Sequence, residues 1–116
     1  MKISIGSKVE EGPFGGGNSF IHNLKNELLN KGHIVIDHLK DKDIDIILLF
    51  NPFISSKNAT FNNFDIDYYQ TFINKNAISV QRINECDERK NTNHVNKKII
   101  LNNRHIDANI YVSSWI

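Results

Sequence analysis

The sequence predicts an α/β fold: a Rossmann-like, doubly wound, mostly parallel five-stranded sheet, incomplete at its carboxyl-terminal end. Two observations predict it. Short apolar runs alternate with helix patterns of about 10–15 residues, the signature of βαβ units. One run, Ile44-Asp45-Ile46-Ile47-Leu48-Leu49-Phe50, is nearly continuous in apolar residues. A strand buried on both faces of a parallel sheet reads this way, whereas a half-buried antiparallel strand alternates.

Taken in order, strands are expected at Lys2–Ile5, Ile34–Asp37, Ile44–Phe50, Ala77–Gln81 and Asn109–Ser113. Between the first two, Phe20, Leu24 and Leu28 form one helical stripe with Ile21 and Leu29 beside it. Asn18 or Ser19 suits its N-cap, and Gly32 after Lys31 suits a left-handed exit. A second helix is expected over about 65–74, with Phe64, Tyr68 and Phe72 at four-residue spacing, and a third over about 95–106. The link from His38 to Asp43 is too short for a full helix, and 51–63 is polar and broken, hence a loop. Ser113 or Ser114 then caps what looks like a first helical turn at Trp115-Ile116. A helix needs several turns and a sheet face needs a cover. The expectation is therefore a truncated piece of a longer ancestor, with one flank bare and a tendency to self-associate.

With 116 residues the chain is a single domain, 1–116, able to bury about 65% of its unfolded surface. Its formal net charge of +1 provides no field to attract nucleic acid or an anionic membrane. Cys86 is the sole cysteine, which excludes a disulfide framework and a cysteine-based zinc site. The five histidines show no ligand spacing, so no metal is expected. No run resembles a signal peptide or a transmembrane segment, and the expected compartment is the cytoplasm.

The unusual residues gather after two strands. If the strand order is 3-2-1-4-5, the first and fourth strands are neighbours, and the switch point between them is where ligands bind. After the first strand, Gly15-Gly16-Gly17-Asn18 opens directly into a helix. Without Cβ atoms the backbone N–H groups can crowd against a phosphate, and the helix N-terminus adds partial positive charge. The match to a dinucleotide fingerprint is partial: Gly15 and Gly17 fit, Phe20 stands where the third glycine belongs, and Asp37 lies where a ribose-binding acid would sit. A Walker loop is excluded, because no Gly-Lys-Ser/Thr follows. After the fourth strand, Arg82, Asn84, Asp87 and Arg89 are placed to meet phosphate or sugar hydroxyls. Cys86 is read as a packing residue. A response-regulator receiver would need acidic residues closing the first strand and an aspartate closing the third. Gly6 and Asn51 stand there instead.

The opening Met1-Lys2-Ile3 strand, the Glu11-Gly12-Pro13-Phe14-Gly15-Gly16-Gly17-Asn18 loop and the Lys31-Gly32-His33 turn resemble the amino-terminal domain of family 4 GT-B glycosyltransferases. Gln81-Arg82-Ile83-Asn84-Glu85-Cys86-Asp87-Glu88-Arg89-Lys90 is similar to a motif of one subgroup, and 108–115 resembles the strand that follows. The resemblance implies transfer of a sugar from a nucleotide-sugar donor to an acceptor in a cleft between two Rossmann-like domains. The nucleotide-sugar is the donor substrate, and no separate cofactor is implied. Gly15, Gly16 and Gly17 would then lie near the donor diphosphate, and this domain would hold the acceptor. Many members place a histidine after the fourth strand, where this chain has Arg82-Ile83-Asn84, so no catalytic residue is carried over. The donor domain lies outside these residues, which implies a fragment inactive alone or a separately encoded donor domain as partner. Two other readings stand beside this one: a small nucleotide-binding or regulatory Rossmann module using Gly15–Gly17 and Asp37, and a remnant that works only by docking to a partner.

Overall fold

The computed structural model describes residues 1–8, 16–50, 58–83, 97 and 106–111. Its elements run β1 (Lys2–Ile5), α1 (Gly16–Asn30), β2 (Ile34–Ile36), β3 (Ile46–Leu49), α2 (Asn63–Phe72), β4 (Ile78–Ile83) and β5 (Ala108–Tyr111). All four strand pairings are parallel, in the order β2-β1-β3-β4-β5. The fold class is that expected, an open Rossmann-like α/β sheet. The helix expected over 95–106 and the turn at Trp115 lie outside the described residues, except for Lys97, which is helical, and Ile106.

The expected strand order is corrected. β3 lies directly on β1, pairing Ile3 with Ile46, Ser4 with Ile47 and Ile5 with Leu48, so β1 and β4 are not neighbours. The cause is the short link after β2. It crosses β1 without a helix and delivers β3 to the position assigned to the fourth strand. This is the flavodoxin-like order, whose switch point falls between β1 and β3.

Right-handed crossovers then dictate which face each helix covers. The chain moves one way from β1 to β2 and the other way from β3 to β4, so α1 and α2 take opposite faces. Ile3 and Ile5 pack with Leu48 and Ile21 beneath α1. On the other face Ile47 and Leu49 join Ile44, Phe61, Ile66, Tyr69 and Ala77 beneath α2. This two-sided burial explains the continuous apolar run in β3.

Side chains hold the helix-free link in place. The Tyr69 hydroxyl donates to the Asp41 carbonyl (2.7 Å) and accepts from the Ile44 N–H (3.1 Å). Asn74 Nδ2 donates to the Ile44 carbonyl, and the buried Ser4 hydroxyl donates to the His38 carbonyl. Lys2 Nζ reaches both Asp43 and Asp41. Its hydrogen bond with Asp43 pulls that carboxyl below the ordinary aspartate range and, with Asp41, raises the lysine.

Both helix boundaries shift from the expected ones. α1 starts at Gly16 rather than after Asn18 or Ser19, so two of the three glycines form its first turn. Its exit is as expected: Gly32 takes φ 85°, and the His33 and Gly32 N–H groups donate back to Leu28 and Leu29 in a Schellman arrangement. α2 starts at Asn63 because Asn62 and Asp65 form a reciprocal capping box. The stripe that marks α2 in the sequence is not its buried face. Asn63, Ile66 and Tyr69 face the sheet, while Phe64, Tyr68 and Phe72 face outward.

Candidate functional site

The carboxyl ends of the strands form one edge of the molecule, and of the residues singled out from the sequence Arg82 lies there, in contact with Phe20 of α1. β4 is longer than expected and takes in Arg82, which is only 7% exposed. Arg82 is therefore a strand residue on the sheet face that α1 covers, not part of a solvated loop. Its guanidinium carbon lies 4.6 Å from the ring centre of Phe20, on α1, and 4.6 Å from that of Phe50, at the end of β3. The two rings stack on each other with centres 6.1 Å apart.

A buried arginine is costly to desolvate, and contact with two adjacent π faces offsets part of that cost. Phe20 sits one helical turn into α1. The clamp thus brings a permanent positive charge close to the first turn of that helix, where Gly16 and Gly17 stand. The first-turn N–H groups, which have no intrahelical acceptor, and the helix dipole favour an anion at the same end. Phe20, which breaks the dinucleotide fingerprint, is the residue that carries α1 across to Arg82 although β3 separates their parent strands.

The switch point itself is closed. Residues 58–60 run antiparallel to the segment leaving β1, with Ser7 bridged to Ala59. The Lys8 N–H donates to the Asn58 carbonyl (2.9 Å) and the Thr60 N–H to the Gly6 carbonyl (3.2 Å). Gly6 also donates to the Leu48 carbonyl, and a Cβ there would lie 2.8 Å from the Phe61 ring. Glycine is needed because Phe61 fills the space a side chain would take.

Ligand space remains beside this closure. A recess of about 450 Å³ opens at the ends of β1 and β2 under α1, floored by Ile5, Ile21 and Val35. Ser7, Lys8, Lys25, Asp37 and His38 line its rim. Asp37 thus stands where an acid could meet a sugar hydroxyl, with two ammonium groups on the same recess. Periodicity gave no sign of Lys8, Lys25 or His38, since a lone surface cation on a loop or helix carries no spacing signal.

Of the site residues expected from the sequence, Gly16, Gly17 and Asn18 lie in α1, and Arg82 lies in β4 near that helix. Gly15, Asn84 and Asp87 lie outside the described residues, as do Cys86 and Arg89. Among the described residues no group of three or more His, Cys, Asp or Glu is placed to hold a metal ion, and no helix is long and apolar enough to cross a membrane. No protein-family model, curated protein or solved structure matches this chain.

Proposed function

We propose that this chain is the amino-terminal, acceptor-side domain of a GT-B glycosyltransferase, one wall of a cleft in which a sugar moves from a nucleotide-sugar to an acceptor. The observation that carries the reading is Arg82 clamped by Phe20 and Phe50 close to the glycine-containing first turn of α1. A fixed guanidinium beside a helix N-terminus suits the diphosphate of a nucleotide-sugar, through charge-assisted hydrogen bonds. In this reading Gly15, Gly16, Gly17 and Asn18 supply close backbone approach, and Asn84 and Asp87 serve as sugar-binding residues. Transfer needs donor and acceptor held together, and in this reading these residues form the acceptor-side wall.

The test is titration of the purified chain with pyrophosphate, UDP-glucose and GDP-mannose, followed by nuclear magnetic resonance and by a radiolabel transfer assay. Weak binding should perturb the amides of Gly16–Phe20 and of Arg82, with no transfer by the chain alone. Robust turnover without a partner, or perturbation confined to the opposite edge of the sheet, would overturn the reading.

The recess beside Asp37 favours a second reading, a small nucleotide-binding module without catalysis. Its signature would be nucleoside monophosphate binding that survives loss of Arg82 and is abolished by Asp37→Ala.

A further inference from the structure

α2 has its aromatic residues on the wrong side for a core. Phe64, Tyr68 and Phe72 are 64%, 60% and 73% exposed, and they follow one another at four-residue spacing along the face opposite the sheet. Tyr68 and Phe72 already lean together, with ring centres 5.0 Å apart. Ile73, 41% exposed, extends the patch past the helix end. A groove of about 390 Å³ lies alongside, between α2 and the link, lined by Leu39, Lys40, Phe61, Tyr68 and Ile73 among others. The helix could have met its packing needs with Asn63, Ile66 and Tyr69 alone, and nothing in the fold of the described residues calls for three outward rings.

The geometry points to a second copy of this chain as the occupant, with α2 packed antiparallel on its twin about a two-fold axis near Tyr68. Three features select that partner. The stripe is symmetric about its centre, so antiparallel pairing sets Phe64 of each copy on Phe72 of the other and Tyr68 near its own counterpart, as an isologous interface requires. Charge agrees, since α2 carries its acids, Asp65 and Asp67, in its first half and Lys75 lies just past its end; reversal brings the acidic half of one helix towards Lys75 of the other and opposes the helix dipoles. Area agrees as well. Aromatic side chains offer about 150–250 Å² each, so three rings at these exposures supply roughly 400 Å² per copy and about 800 Å² in all. Ile73 and the groove wall bring the sum to the roughly 1,000 Å² that a specific interface needs. The grooves also give the rings of the facing copy a recess.

The experiment is sedimentation of the full chain over a wide concentration range, with Tyr68→Glu and Phe72→Glu compared with the parent. A reversible dimer is expected, and each variant should raise its dissociation constant by about tenfold or more while leaving the circular dichroism spectrum and melting unchanged at monomer concentrations. Tyr68→Cys, made in a Cys86→Ser background, should cross-link into a dimer under a thiol oxidant, whereas Lys75→Cys should not. A chain that stays monomeric throughout overturns the proposal. So does a dimer that survives both glutamates, or one that is lost instead on changing Ile78 or Ile110, half-exposed apolar residues on β4 and β5. Should Tyr68→Glu fail to fold, the cross-linking pair decides alone.

Discussion

The guanidinium of Arg82 lies against the ring of Phe50, 4.6 Å from carbon to ring centre, at the shared carboxyl edge of β4 and β3. The contact restrains a long, flexible cation against the ring. Phe20 adds a second ring from α1, so helix, strand and charge meet at one place. Pre-organisation of this kind lowers the entropic cost of binding an anion.

Arg82→Met should separate packing from charge. Methionine keeps an unbranched apolar stem against the two rings, while the cation–π contact, worth about 0.5–2 kcal/mol, is lost. Pyrophosphate affinity, measured by calorimetry, should fall about tenfold, because a charge-assisted hydrogen bond contributes roughly 1.5–3 kcal/mol. Unchanged affinity would move the anion site away from β4.

Tyr69→Phe should show how much the link depends on one hydroxyl. The ring stays in the core, but the buried Ile44 N–H loses its acceptor and the Asp41 carbonyl its donor. The expected loss is about 1–3 kcal/mol in denaturant unfolding, the cost of stranding a buried backbone group. A smaller loss would mean that water replaces the hydroxyl.

Asp107 should make stability fall in acid. Its carboxylate accepts from the Ser79 N–H, Gln70 Nε2 and the Ser79 hydroxyl, tying the start of β5 to β4 and α2. The Ser79 backbone hydrogen bond leads in holding its pKa below the ordinary 3.8, with Gln70 and the Ser79 hydroxyl adding to the effect. Because the folded value is depressed, this stabilisation is complete above the unfolded value and is lost as pH falls through the folded one. Asp107→Asn should lower stability at neutral pH by on the order of 1 kcal/mol, solvent screening keeping the loss small. It should also flatten the decline below about pH 4 in melts across acid pH. A parent-like acid profile in the variant would assign that decline to other carboxylates.

Sequence patterning alone determined the class of the fold. The apolar density of 44–50 follows from burial on two faces, and the Gly32 exit follows from a backbone φ that side chains rarely tolerate. The glycines before Phe20 and the arginine after Val80 were also legible as a candidate site, since residue type and place on a strand or helix suffice to mark them. Strand order was not legible. It depended on a short link held by Tyr69, Ser4 and Lys2, contacts 25 to 41 residues apart in sequence that no local period records. The outward stripe of α2 was hidden for a related reason: four-residue spacing marks a helix but does not say which of its apolar faces meets the sheet. Only the tertiary structure decided that Ile66 and Tyr69 point inward, where they pack with Ile47 and Leu49 of β3. Arg82 follows the same rule. Its type suggested an anion, but its burial against two rings from distant segments arises only when β3, β4 and α1 are packed together.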